Sequence, residues 1–180
     1  DDASTDGTAN IIREYEQKYP KIIKPIYQTE NQYSQGINVS GKYQYSRAQG
    51  KYLAFCEGDD YWCNPNKLQK QVSFLEQNPG YSACVHQTQV ISDDGKPLAL
   101  FSEFTKEGDI EKLNEYMDFP HTSSFLLRNP FIDNSERGRY LQKYISYWDK
   151  SMVIYMFRTG KIHFLPDIML GKAIQKRSPC

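Results

Sequence analysis

The stretch YLAFC at Tyr52–Cys56 runs directly into EGDDYW at Glu57–Trp62. The first five residues have the character of a short buried strand, and the next four carry three carboxylates, Glu57, Asp59 and Asp60. Crowded like charges at a strand end cost free energy unless a cation neutralises them. An all-oxygen donor set selects a hard ion, Mg2+, Mn2+ or Ca2+. A strand that ends in such a turn points to chemistry on a phosphate-bearing ligand.

Upstream of this stretch, Ser4–Thr8 forms a capping turn, and Ile11, Ile12, Tyr15 and Tyr19 follow at helical spacing. A strand is expected over Ile22–Tyr27, a polar loop over Gln28–Gly41, and a helix over Tyr43–Gln49 closed by Gly50. Downstream, Asn64-Pro65 is a helix start whose apolar face is Leu68, Val72 and Leu75, with Phe74 alongside. A strand over Tyr81–Ile91 then turns at Asp93–Lys96 into a second strand near Leu98–Phe101. The remaining expectations are a helix over Asp109–Tyr116, a strand over Ser123–Leu127, a helix over Lys150–Thr159 and a short strand over Ile162–Leu165. This alternation predicts an α/β fold whose sheet has one mixed edge.

A chain of 180 residues supports a full core, so a single domain is expected over 1–170, with a polar, disordered tail over 171–180. Lysine and arginine (22) balance aspartate and glutamate (22), which removes the basic field that nucleic-acid binding needs. The four cysteines form no C-x-x-C pair and match neither a zinc site nor a disulfide framework. Reduced thiols in a cytoplasmic protein are the expectation. No apolar run reaches membrane-spanning length and no signal peptide is visible. Peripheral contact at the inner face of a membrane stays open. Lys172, Lys176 and Arg177 are read as part of the disordered tail rather than as a lipid contact.

A second acidic motif opens the chain, Asp1-Asp2-Ala3-Ser4-Thr5-Asp6-Gly7-Thr8. It begins like a calcium loop, but Arg13 stands where the closing bidentate glutamate belongs. It also looks like the D-x-D-G-T of phosphatases, yet Ser4 replaces the nucleophilic aspartate. What remains is an acidic turn ahead of a helix, at the kind of position where open α/β sheets bind ligands. Helix capping accounts for Ser4 or Asp6 and accounts poorly for the Asp1-Asp2 pair.

DDASTDGT, the run Ala48–Phe55, and EGDDYW followed by Pro65, Lys67-Leu68 and Gln71 together resemble the inverting family 2 glycosyltransferases of GT-A fold. The resemblance implies a Rossmann-like, three-layer mixed sheet flanked by helices, with a first strand–helix unit upstream of Asp1. It implies a nucleotide-sugar donor, usually UDP-linked, a divalent metal (Mn2+ or Mg2+) and a glycan or lipid-linked acceptor in polysaccharide synthesis. Asp1 and Asp2 match the nucleoside-contacting pair. Glu57, Asp59 and Asp60 match the D-x-D-type motif on ribose and metal–diphosphate, with Asp59 and Asp60 as the metal ligands. Asp149 matches the late acidic residue that serves as catalytic base. Trp62 and His121 are read as structural, and Arg128 and Lys42 as solvated cations. The alternative function is a non-catalytic nucleotide- or sugar-binding remnant that keeps the acidic turn as structure.

Overall fold

The computed structural model describes residues 1–92, 94–111, 119–132 and 148–173, except the side chains of 148, 149 and 173. They fall into two compact units, Asp1–Gln49 with Pro130–Ser146, and Gly50–Asn129 with Tyr147–Cys180.

In the first unit, helix α1 spans Thr8–Lys18. Asp6 starts it by accepting the Thr8 N–H at 2.9 Å, which satisfies one of the donors a helix start leaves open. The expected strand over Ile22–Tyr27 does not form. Its ladder-like contacts are confined to Asp1, whose nitrogen donates to the Ile26 carbonyl (2.8 Å) and whose carbonyl accepts the Gln28 N–H (3.0 Å), while the Ile22 and Ile23 N–H groups turn back to the Tyr19 carbonyl. Pro25 removes a donor in the middle of the run, and Ile22 is exposed. Helix α2 occupies Val39–Tyr43, where a loop is expected, because Asn38 caps it by accepting the Gly41 N–H at 2.9 Å. Only a 3-10 turn, Tyr45–Arg47, follows in the place of the expected Tyr43–Gln49 helix.

The second unit is built on one seven-stranded mixed sheet. Its strands are β1 (Tyr52–Ala54), β2 (Asp60–Trp62), β3 (Tyr81–Ile91), β4 (Pro97–Leu100), β5 (Gly108–Asp109), β6 (Leu126–Arg128) and β7 (Lys161–Ala173). The order is β1-β6-β3-β7-β2, with β4 added on β3 and β5 on β7. β3 and β7 run parallel, and every other pair is antiparallel. Every residue from Ser82 to Thr88 is buried, so both faces of the sheet are covered along β3. Helices α3 (Lys67–Gln77) and α4 (Trp148–Thr159) pack against β3. Leu75, Cys84, Leu126, Leu165 and Met169 form a core cluster. Among the described residues no helix is long and apolar enough to cross a membrane.

Three departures from expectation shape the site. The apolar face read for α3 holds in part: Leu75 lies in the core cluster with Val72 and Phe74 packed against it, but the buried face is shifted toward Lys67 and Gln71. Lys67, Gln71 and Leu75 are buried while Leu68 is 42% exposed. Gln71 replaces hydrophobic packing with hydrogen bonds to the Cys84 and Ser124 carbonyls (2.7 and 2.9 Å), joining helix to sheet. Gly108–Asp109 is a strand on β7 instead of a helix start, and 112–118 lie outside the described residues. The expected strand over Ser123–Leu127 is a 3-10 turn, Thr122–Ser124, followed by β6.

β7 departs from expectation as well, since it passes Pro166 and continues to Ala173. Its register on β3 jumps from His86↔Leu165 to Gln87↔Ile168, so Pro166 and Asp167 stand out of the ladder where a missing N–H does no harm. Gly171 and Lys172, read from sequence as tail, therefore pair with Tyr61 and Asp60 of β2. A side chain at Gly171 would come within 2.5 Å of the Tyr61 ring, so the close pairing requires glycine there. Lys172 is ordered sheet, and 174–180 lie outside the described residues.

Candidate functional site

EGDDYW forms the turn that leads into β2, and the 3-10 turn after His121 packs against it. Ser123 links the two. Its hydroxyl accepts the Glu57 N–H (2.8 Å) and donates to Asp60 Oδ2 (2.6 Å), while its carbonyl accepts from the Trp62 indole (3.1 Å). His121 Nδ1 lies 3.3 Å from Asp60 Oδ2, and Nε2 lies 3.8 Å from Glu57 Oε2. Glu57, Asp60 and His121 each offer one ligand atom, all within 4.8 Å of one another.

The Asp60 side chain has 0% exposure, and its second oxygen, Oδ1, is buried with no hydrogen-bond partner. An ionised oxygen in that position is expensive to leave unpaired. Two carboxylates and an imidazole form a donor set that suits Mn2+ or Mg2+, and the open oxygen is what a cation would satisfy. The residues fit a divalent ion.

From β7, Lys172 donates to His121 Nε2 at 2.6 Å. An ammonium has no lone pair, so Nε2 is the acceptor and the ring hydrogen of a neutral imidazole sits on Nδ1, facing Asp60. The Ser123 N–H lies 3.3 Å from the same Nδ1, which accepts from it in the other tautomer. Phe101 packs edge-on to the His121 ring, with centroids 4.8 Å apart.

Behind this turn lies Lys67, 1% exposed. It donates to Gln71 Oε1 (2.9 Å) and stands 4.4 Å from the Trp62 ring centroid. Burial pulls its ammonium down to about 8, because a low-dielectric setting disfavours the charged form. Trp62 is therefore fixed from both sides, by Ser123 at its nitrogen and by Lys67 at its face.

The residues picked out from sequence are distributed unevenly. Glu57 and Asp60 meet, while Asp59, in the same turn, is exposed and is not a member of the ligand group. Asp149 is the second residue of α4, and its side chain lies outside the described residues. Asp1 and Asp2 belong to the first unit. There the Asp2 carboxylate caps the turn Tyr33–Gln35, accepting the Gln32 and Tyr33 N–H groups at 2.9 Å each. Asp1 Oδ2 accepts the Ser4 N–H at 3.3 Å, and Asp1 Oδ1 is buried without a partner. Between Asp2 and Ser4, Ala3 holds φ at +60°, a conformation uncommon for a residue with a side chain.

His121, Ser123 and Lys172 are the members that sequence reasoning missed. The polar run His121–Ser124, directly ahead of the apolar Phe125-Leu126-Leu127, was the available signal: polar residues entering a core need partners. Arg128 is not a solvated cation either. It donates to the Tyr81, Leu75 and Asn78 carbonyls (2.8, 2.7 and 3.3 Å) and so closes the C-terminal end of α3.

The sequence model of Glycosyl transferase family 2 matches residues 1–135, and the chain belongs to that family. An uncharacterized protein of Mycobacterium tuberculosis is 47% identical over 110 residues, which are 61% of this chain and 31% of that protein. The UDP-Glc:alpha-D-GlcNAc-diphosphoundecaprenol beta-1,3-glucosyltransferase WfaP of Escherichia coli is 34% identical over 76 residues, 42% of this chain and 28% of WfaP. The crystal structure of S. aureus TarS 1-349 in complex with UDP superposes with a TM-score of 0.65 at 19% identity, over 97% of this chain and 49% of TarS. The chain thus spans 28% to 31% of the length of these curated relatives.

Proposed function

We propose that the protein is a metal-dependent inverting glycosyltransferase that moves a sugar from a UDP-linked donor to a glycan or lipid-linked acceptor in polysaccharide synthesis. The observation that carries this reading is the buried Asp60 carboxylate, which keeps one oxygen without a partner and groups with Glu57 and His121 within the family-matched region. The UDP bound to TarS and the UDP-glucose donor and lipid-linked acceptor in the name of WfaP support the substrate class. The family match runs through residues of both units, which supports one catalytic domain over 1–170.

In this reading Asp60, Glu57 and His121 hold the divalent cation. Bound there, it neutralises the charge that builds on the departing diphosphate. Ser123 keeps Asp60 aimed and draws the main chain of Glu57 toward it. Asp59, exposed in the same turn, faces ribose or cation when the donor arrives. In the first unit, Asp1 Oδ1 accepts a hydrogen from the nucleoside, and Asp2 shapes the neighbouring loop with a weaker claim on the ligand. Asp149 takes the proton of the acceptor hydroxyl. A cytoplasmic enzyme in peripheral contact with the membrane accords with a lipid-linked acceptor.

Calorimetric titration of UDP with and without Mn2+ tests the reading. Tight binding only with the metal, lost in Asp60→Asn and retained in Asp149→Asn with turnover abolished, is the expected pattern. UDP affinity indifferent to both Mn2+ and Asp60→Asn would refute it. Donor hydrolysis separates the enzyme from a non-catalytic remnant, which shows none with any metal.

A further inference from the structure

We propose that Lys172 is an internal cation that competes with the divalent metal for His121, and that its displacement is part of metal binding. The inference rests on the metal reading above and adds to it a residue that sets the strength of the metal requirement. Three observations carry it. The β2–β7 ladder sets Lys172 directly opposite Asp60, so the ammonium belongs to the sheet that builds the site and not to a loose tail. Its Nζ lies 2.6 Å from His121 Nε2, the same nitrogen that faces Glu57 Oε2 at 3.8 Å. Its stem is half-buried, with Nζ 5.3 Å from the Phe101 ring centroid, so the charge is held against the site and not in open solvent.

The chemistry of the imidazole makes the two cations exclusive. Nε2 has one in-plane lone pair, which either accepts a hydrogen from Lys172 or binds a metal ion. Lys172 also offsets part of the negative charge of Glu57 and Asp60. Removing it both frees the ligand atom and strengthens the field felt by a divalent ion. The side chain is long and flexible enough for its ammonium to leave Nε2 while its backbone stays in the ladder. Lys172 thus holds the ligand set together when no metal is bound and lowers the affinity for the metal.

Mn2+ titration of the full chain, followed by calorimetry and by the electron paramagnetic resonance of free Mn2+, tests this on the parent, K172M and K172R. Lys172→Met keeps the stem and removes the charge, and Mn2+ should bind about tenfold more tightly, as expected for loss of one positive charge a few ångströms from a divalent ion. Lys172→Arg keeps the charge and should stay within about twofold of the parent by the same argument. In H121A the gain from K172M should shrink, because the contested lone pair is gone and only the field of the removed charge is left. Thermal melts identify folded variants, and K172Q replaces K172M should the latter fail to fold. Equal or weaker Mn2+ binding by a folded, charge-free variant overturns the competition and leaves the metal reading standing. If neither the parent nor the charge-free variant binds Mn2+, the metal reading falls and takes this proposal with it.

Discussion

Two clusters of similar composition stand at opposite ends of β7. At the C-terminal end of the parallel β3–β7 pair, His121 meets Asp60, Glu57 and Lys172. At the N-terminal end, His163 meets Asp109 at 3.3 Å and Glu107 at 3.4 Å, with Lys161 3.3 Å from Asp109. Each contains one histidine, two carboxylates and one lysine. What differs is satisfaction and burial. Asp109 accepts from Tyr81 at 2.9 Å on both oxygens as well as meeting His163 and Lys161, and Phe74 stacks on His163 with centroids 3.9 Å apart. Burial works to raise the Asp109 carboxyl, but the hydrogen bonds from Tyr81, His163 and Lys161 outweigh it and hold it below its ordinary value. Asp60 is fully buried with an oxygen left over. A composition that looks functional at both ends is open to a ligand at only one. That end is also the carboxyl end of the parallel strands, where α/β sheets bind ligands.

The contrast makes graded demands on experiment. The largest effect is expected from paired substitutions: Asp60→Ala should weaken Mn2+ binding about 100-fold, as loss of a metal ligand does, while Asp109→Ala leaves it unchanged. Comparable losses from both would erase the distinction between the clusters.

A smaller effect concerns Lys67, behind the first cluster, and Lys161, within the second. Lys67 is held neutral down to about 8 by burial, whereas the hydrogen bond to Asp109 raises Lys161 above its ordinary value. Between pH 8 and its unfolded value near 10.5, Lys67 is protonated when unfolded and neutral when folded, so the unfolded state binds more protons and stability rises with pH. At pH 7 the Lys67→Met variant should therefore be more stable than the parent by about 1–3 kcal/mol, with the advantage fading toward pH 10.5 in urea denaturation. A constant difference across that range would show that Lys67 is not buried as a charge.

The smallest effect is at Asp109. Its lowered value contributes stability that is present above the ordinary carboxylate range and lost as pH falls through the folded value. Asp109→Asn should cost less than about 1 kcal/mol at neutral pH, since its partner Lys161 is 68% exposed and solvent screens that pair, and its deficit should disappear in acid unfolding as the carboxyl protonates.

The family-defining motifs, the strand Tyr81–Ile91 and the helix closed by Gly160 were legible because each depends on neighbours in sequence. Periodicity, turn chemistry and crowded charge are local quantities. The same locality explains the errors. Pro166 read as the end of a strand because its missing N–H is a local fact, while the bulge that absorbs it belongs to the ladder with β3. The burial of Lys67 and Gln71 was not legible because their partners, Trp62, Cys84 and Ser124, come from elsewhere in the chain. His121 read as structural for the same reason.

From the residues alone came the family, the mixed α/β fold and the wager on the acidic turn, since all three are written in local pattern. Which lysine stands opposite Asp60 was settled by the β2–β7 register, and which histidine joins it by the Ser123 hydrogen bonds that tie the two turns together. Ligand geometry depends on distances of a few ångströms between residues that lie about 60 and 110 positions apart, and loops of that length close only when the sheet forms.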